Sequence, residues 1–165
     1  MELDIVIPGE IVQYKGVFSV AELYHVIDEW LVERNYIRIE KKHYESTTKT
    51  GKTIELHLAP EKKFSDYVIG ALDIKIFITG MKDKKVLNIP KKLNEGSVKI
   101  ELKAVLKTDY EGRWESTPLN QLIKAIYDKF IYPGMNQKFR DRLKEDALHL
   151  KNEIKGLLNL AKRRY

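Results

Sequence analysis

Residues 97–108 read SVKIELKAVLKT, and residues 67–79 read YVIGALDIKIFIT. In both stretches an apolar side chain or a glycine stands at every second position. The first row is Val98, Ile100, Leu102, Ala104 and Leu106, and the second is Val68, Gly70, Leu72, Ile74, Ile76 and Ile78. Because successive side chains of a strand point to opposite faces, this period predicts two antiparallel strands with one buried and one wet face. Strands this long exceed the usual five or six residues, so we expect a sheet that curls around a helix.

Shorter patterns predict the other strands. The first strand starts at Leu3, with Leu3, Ile5 and Ile7 in alternation, and bends at Pro8-Gly9 on an edge of the sheet, where a missing N–H does no harm. Gly70 indicates a strong bend or a close contact with another backbone. Further strands are predicted at residues 36–44, 53–58 and 86–89, with loops or turns at 46–52, 61–66, 80–85 and 90–96.

Three helices are predicted around these strands. Ser19 and Glu22 form a capping box before the apolar stripe of the first helix, and Thr117 caps the second helix with Pro118 in its first position. Pro133-Gly134 separates the second helix from the third, which is predicted at residues 136–164. The third helix carries a heptad seam made of Leu143, Ala147, Leu150, Ile154, Leu157 and Ala161.

The order of elements predicts an α+β fold. We expect a curved antiparallel sheet of five or six strands, with one N-terminal and two C-terminal helices packed on one face. The length of 165 residues fits a single domain spanning residues 1–165. The seam of the last helix either packs onto this domain or serves as a separate interaction element.

The composition excludes several classes of function. The chain has no cysteine, which excludes disulfides, thiolate metal sites and cysteine catalysis. It has no long apolar stretch, and acidic residues follow Met1 where a signal peptide carries bases, so we expect a soluble, cytoplasmic protein. The 33% of charged residues, mostly lysine and glutamate, is typical of heat-adapted proteins.

The positive charge is concentrated in the predicted sheet. Residues 1–35 carry a net charge of −5, residues 36–107 carry +7 and residues 108–165 carry +4. A basic sheet face attracts nucleic acid or acidic partners. Lysine on exposed strands also prevents edge-to-edge aggregation, so solvation is the competing interpretation.

No motif for catalysis is found in the sequence. The histidines are scattered, no serine lies in a G-x-S-x-G motif, and glycines form neither a P-loop nor a dinucleotide-binding motif. We therefore expect no catalytic residue, no metal and no cofactor, and a binding protein rather than an enzyme. Aromatic residues interleaved with lysine resemble the stacking platforms of single-strand RNA binders, unless a second layer covers them. These aromatic residues are Tyr67, Phe77, Tyr110 and Trp114.

The succession of strand, capped helix, antiparallel meander and long C-terminal helix is similar to the helix-grip arrangement of the START and Bet v 1-like ligand-binding proteins. The similarity spans nearly the whole chain at the level of element order. This chain has one helix after its first strand where that family has two, and its C-terminal part has two helices. The resemblance implies that a gap between the sheet and the terminal helix holds an apolar ligand.

Three functions are carried forward as hypotheses. The leading one is a non-catalytic protein that binds an apolar small molecule between the sheet and the C-terminal helices, although the same side chains also fit a dry core. The lining residues would be Ile74, Ile76, Ile100, Leu102, Ile126 and Tyr127. The first alternative is a protein-interaction or assembly module, homo- or hetero-oligomeric, that uses Leu143, Leu150, Ile154 and Leu157. The second is a nucleic-acid binder that uses the lysine-rich sheet face.

Overall fold

The two alternating stretches are neighbouring strands in the computed structural model, which describes residues 2–108, 118–126, 129 and 132–165. The strands and helices follow one another in the order β1, α1, β2 to β6, α2 and α3. Their bounds are β1 Glu2–Phe18, α1 Val20–Glu33, β2 Glu40–Thr48, β3 Gly51–Leu58, β4 Glu61–Lys63, β5 Val68–Lys84, β6 Leu93–Thr108, α2 Pro118–Ile126 and α3 Tyr132–Arg164. The predicted α+β class is confirmed.

The six strands form one antiparallel sheet in the order β1-β6-β5-β3-β2, and the short strand β4 also pairs with β5. β5 and β6 therefore lie inside the sheet, and β1 and β2 are its edges. Every apolar residue of the two inner rows is buried, from Val68 to Ile78 and from Val98 to Leu106. The prediction that both rows point into one interior is thus confirmed.

The first helix begins and ends where the sequence predicts. Ser19 is the N-cap, and its side chain accepts a hydrogen bond of 3.2 Å from the backbone N–H of Glu22. The Glu22 carboxylate does not complete the capping box but lies 2.6 Å from the ammonium group of Lys91. Asn35 has a φ of 59°, the left-handed conformation that ends helices. The buried residues of α1 are Leu23, Ile27, Trp30 and Leu31.

The last helix starts at Tyr132, four residues before the predicted residue 136. Pro133 lies in the first turn of α3 rather than between two helices. Proline is tolerated there because backbone N–H groups of a first helical turn have no partner within the helix. α3 lies against β1, β6 and α1, and its seam is buried there, so the seam packs onto the domain. Leu158 is more deeply buried than the predicted Leu157, since the period of a straight helix drifts away from a strict heptad.

Four predicted loops and one predicted strand are wrong, at least in part, and one of these loops, residues 90–96, ends early because β6 starts at Leu93. β2 runs to Thr48 and β3 starts at Gly51, so the turn between them is much shorter than residues 46–52. Residues 61–63 form β4 instead of a loop, and β5 continues past Gly80 to Lys84. Residues 86–89 form a turn rather than a strand.

The first strand lies at an edge of the sheet, as predicted, and its register shifts twice, between Ile5 and Ile7 and between Ile7 and Glu10. A bulge changes which face the following residues point to. Ile7 is therefore buried, whereas Leu3 and Ile5 are exposed on the outer face of the sheet.

The apolar side chains described on α2 are exposed. They are Leu119, Leu122, Ile123 and Ile126. The predicted cap Thr117 and the aromatic residues Tyr110 and Trp114 lie outside the described residues, as do Tyr127, Phe130 and Ile131.

Replacing Ile76 by alanine should lower the free energy of unfolding by about 2–5 kcal/mol, because Ile76 is fully buried opposite Ile100 and its truncation leaves a cavity. Urea denaturation measures this loss. Ile37→Ala is the control, since Ile37 is 71% exposed and its truncation should cost less than about 0.5 kcal/mol. Equal unfolding midpoints for the two variants would show that Ile76 is not a core residue.

Candidate functional site

The inner side chains that were predicted to contact an apolar ligand form two neighbouring cross-strand pairs. The pairs are Ile74 with Leu102 and Ile76 with Ile100, and all four residues are buried in the core. Ile126 is 51% exposed on α2 and does not share their environment, and Tyr127 lies outside the described residues. An apolar ligand at this place stays a prediction.

A small void lies between α1 and the sheet. It has a volume of about 10 Å³ and is lined by Tyr24, Ile27, Leu56, Leu58 and Ile76 among others. The Tyr24 hydroxyl is buried and has no hydrogen-bond partner within the described part of the chain. Burial raises the pKa of Tyr24 to about 12. This volume holds one water molecule at most and is too small for an organic ligand.

The proposed interaction residues of the last helix face the interior of this chain. Leu143, Leu150 and Ile154 are buried, and Leu157 packs against the core at half-exposure. A partner would therefore have to displace the sheet from this seam in order to contact it. The outer side of α3 carries a shallow groove instead, which charged residues such as Lys144 and Glu145 line together with Leu148.

The outer face of the sheet carries ion pairs on several strands. The pairs are Lys42 with Glu55, His57 with Asp73, and Lys99 with Glu101. The hydrogen bond from Lys99 lowers the pKa of Glu101, and the nearby charges of Lys75 and Lys103 lower it further. Three lysines, Lys75, Lys99 and Lys103, thus lie close enough to Glu101 to stabilise its charge.

An open trough crosses the outer face where β1, β6 and β5 lie side by side. One part has a volume of about 480 Å³, and residues lining it include Lys15, Phe77 and Lys99. The adjoining part has a volume of about 420 Å³ and continues over Lys82 and Glu95. Both parts are lined by Lys15, Thr79 and Ser97, so they form one continuous trough.

Backbone forms the floor of the second part of the trough. Gly16 on β1 lies opposite Gly96 on β6, and Gly80 on β5 lines the same part. A Cβ atom on Gly96 would lie 3.0 Å from the Thr79 carbonyl oxygen, and Gly80 has a φ of 61°. Side chains are thus disfavoured at these positions, which leaves the floor low and the backbone accessible.

The residues that line the trough combine two aromatic side chains, Phe77 and Tyr14, with positive charge. Phe77 is half-buried and lies between Lys99 and Glu55 of the neighbouring strands. Lys15 and Lys82 line the second part together with one acid, Glu95, whose carboxylate lies 3.5 Å from the ammonium group of Lys84. The trough is therefore cationic and offers two aromatic rings.

A buried carboxylate joins α3 to the opposite end of the sheet. Asp146 accepts hydrogen bonds of 2.9 Å from Arg34 Nη1 and from the hydroxyl of Tyr36, and Lys62 Nζ lies 3.8 Å from its second oxygen. Burial raises the pKa of Tyr36, and the Asp146 charge raises it further. Burial lowers the pKa of Lys62. We call these four residues the Asp146 cluster.

Aromatic contacts extend the Asp146 cluster. Trp30 stacks on Tyr36 at 5.4 Å between ring centroids, and its Nε1 donates a hydrogen bond of 2.9 Å to His149 Nδ1 on α3. Both carboxylate oxygens of Asp146 accept a hydrogen bond, which fits a structural link between helices better than a proton-transferring site. Sequence reasoning missed this link, although a carboxylate between Leu143, Ala147 and Leu150 of the seam was a visible signal.

The histidines do not form a metal site. His25 lies 3.7 Å from Glu29 in an exposed pair, and His43 bonds Glu45 rather than approaching His57. Within the part of the chain that the structure describes, no group of three or more histidine, aspartate or glutamate side chains is placed to hold a metal ion.

Comparison with known proteins leaves the family open. The chain matches no protein-family model and no curated protein. The similarity to the START and Bet v 1-like proteins therefore stays a prediction from the order of elements. None of the helices in the described ranges combines the length and the hydropathy that crossing a bilayer requires.

Replacing Tyr36 by phenylalanine should lower the free energy of unfolding at neutral pH by about 1.5–3 kcal/mol, because Asp146 loses one donor. Above a pH of about 10 the unfolded wild type releases the Tyr36 proton, whereas the folded protein retains it, so wild-type stability falls as pH rises. The difference in the free energy of unfolding between wild type and Tyr36→Phe should therefore narrow by about 1.4 kcal/mol per pH unit. Urea denaturation across this pH range measures the effect.

The control for Tyr36 is Tyr44→Phe, at an exposed position on β2. This variant should stay within about 0.5 kcal/mol of wild type at neutral pH. If the difference in the free energy of unfolding between Tyr36→Phe and wild type stays constant at alkaline pH, the assignment of a buried hydrogen bond from Tyr36 to Asp146 is wrong.

Proposed function

We propose that the protein binds single-stranded nucleic acid in the trough on the outer face of its sheet, without catalysing a reaction on it. The observation that carries this proposal is the ring of Phe77 in an open trough that Lys15 and Lys99 also line. Proteins that bind single strands combine a positively charged groove, which follows the phosphates, with aromatic rings on which bases stack. Both components are present in this trough.

The charge distribution supports the same partner. The net charge of the whole chain is +6. Residues 36–107, which contain β2 to β5 and most of β6, have a net charge of +7. A basic surface raises the rate at which a polyanion meets the protein and holds it by releasing counterions. Four of the seven acids of residues 1–35 lie on α1, away from the outer face, and the other three lie on the edge strand β1.

Protection against aggregation does not account for all lysines of the outer face. That role belongs to edge strands, because only these present unpaired backbone groups. Lys41 and Lys42 on the edge strand β2 fit it. Lys99 lies on β6 between Gln13 of β1 and Phe77 of β5, where the backbone is paired on both sides, so edge protection does not explain this lysine.

The inner face gives less support for a ligand. The inner rows are filled by their own side chains and by the seam of α3, and the void beside α1 is of water size. The seam in turn is engaged within the chain, which lowers the support for assembly through α3. The outer face is left as the surface with both free volume and matching chemistry.

Replacing Phe77 by alanine should weaken the binding of a dodecameric oligothymidylate by about 1–3 kcal/mol, because one stacking surface is lost. Fluorescence anisotropy at low salt measures the affinity, and thermal unfolding verifies that the half-buried site still folds. Ile37→Ala serves as the control and should bind like wild type. Wild-type protein that fails to bind the oligonucleotide at low salt would refute the proposal.

Replacing both Lys15 and Lys82 by glutamine should lower the salt dependence of binding. Each phosphate contact contributes about 0.7 to the slope of log K against log salt for a single strand, so the slope should fall by about 1.4. Affinities measured at several salt concentrations give the slope. The matched control replaces Lys49 and Lys144, two lysines that do not line the trough, by glutamine. If the salt slope falls equally in both double variants, the proposal that Lys15 and Lys82 contact phosphates is wrong.

A further inference from the structure

The loop between β5 and β6, residues 85–92, has an ordered turn at its tip. The Ile89 N–H donates a hydrogen bond of 3.2 Å to the Val86 carbonyl, and Asn88 has a φ of 67°. This turn places Leu87 at an outer corner, where its side chain is 92% exposed. We call this feature the Leu87 tip.

Contacts with α1 hold the base of the loop. The ammonium group of Lys91 lies 2.6 Å from the Glu22 carboxylate. The Asn94 side chain accepts a hydrogen bond from the Val20 N–H at 3.3 Å and donates one to Asp83 at 3.2 Å. These contacts fix the base of the loop that carries the Leu87 tip. A ligand that packs against Leu87 therefore causes little further loss of conformational entropy in the loop.

Lysines flank the Leu87 tip in the sequence. The flanking positions are Lys82, Lys84, Lys85, Lys91 and Lys92; Lys84 pairs with Glu95, Lys91 with Glu22 and Lys92 with Asp83, which leaves an excess of two positive charges. An apolar side chain next to excess positive charge matches a ligand with apolar surface next to anions. An unpaired base beside its phosphates has that chemistry, and so does the surface of an anionic membrane.

Continuity with the trough favours the nucleic acid. Lys82 and Glu95 line the trough and also form the base of the loop, and Lys82 lies opposite Glu95 in the β5–β6 pair. A nucleic-acid strand that is bound at Phe77 and runs along β5 therefore reaches the loop without leaving the basic surface. A membrane would be held by a single inserted leucine and a small net charge, which is weak anchoring.

We propose that the Leu87 tip is a second contact for the strand in the trough, at which Leu87 packs against an unpaired base while the flanking lysines contact phosphates. This inference rests on the proposed function. It names the ligand as nucleic acid with accessible bases, in preference to polyanions that have none. Apolar wedges of this kind are known in proteins that insert leucine or proline between bases.

The test compares Leu87→Ser with wild type by fluorescence anisotropy on the dodecameric oligothymidylate. We expect the variant to bind about ten-fold more weakly with an unchanged salt slope, because no charge is lost. Ile37→Ser, which removes another exposed apolar side chain far from the loop in sequence, should bind like wild type. Competition by inorganic polyphosphate, which has no bases, should be equal for wild type and Leu87→Ser.

A second variant tests the lysines of the tip. Lys85→Gln combined with Lys92→Gln should lower the salt slope by about 1.4, since two phosphate contacts are removed. Thermal unfolding should be unchanged in both variants, as the replaced side chains are exposed.

Two results overturn the inference in distinguishable ways. If Leu87→Ser binds like wild type while Phe77→Ala binds weakly, the tip is not a contact and the proposed function stands. If wild type does not bind the oligonucleotide at low salt, both proposals fail. In that case vesicles of phosphatidylcholine and phosphatidylglycerol in equal parts are the next probe. Co-sedimentation of wild type, lost in Leu87→Ser, would assign the tip to membranes instead.

Discussion

The packing of α3 against the inner face of the sheet, mainly over β1 and β6 and at one point over β5, is the contact on which the rest of the structure depends. Gly70 makes that contact close, because a Cβ atom there would lie 2.7 Å from the Phe64 ring and 3.2 Å from Leu143. Each fully buried aliphatic side chain of the rows and of the seam contributes about 1.5–3 kcal/mol. The Asp146 cluster then fixes the position of the helix along its axis, since a buried carboxylate that loses its donors is costly.

The same packing decides where a ligand has room. Side chains of α1 and α3 fill the concave side, so volume for a partner lies on the outer face, where the strands carry charged side chains and aromatic rings such as Phe77 and Tyr44. Helix-grip element order implies a ligand between sheet and helix, whereas the free volume described for this chain lies on the other side of the sheet. The order of elements therefore constrains the architecture more strongly than it constrains the binding surface.

The inner rows and the helix caps were predictable because each depends on local spacing. The ends of β2 were not, since Ser46, Thr47 and Thr48 lie on an edge strand with no buried face, and alternation is then lost. Residues 86–89 carry the composition of a strand, but Asn88 turns the chain. The bond between Tyr36 and Asp146 joins residues 110 positions apart, and the register that places Gly16 opposite Gly96 is also set by pairing between distant segments. No local pattern contains such information.

The Asp146 cluster and the trough lie towards opposite ends of β5. The Asp146 cluster lies beside β4, which pairs with residues 69–71, whereas the trough lies around residues 77–82. Eight residues of strand separate Ala71 from Thr79, a distance of about 26 Å at the usual rise. Substitutions that far apart act independently on stability. The glycines and lysines of the trough can therefore be chosen for a ligand without cost to the link between α3 and the sheet.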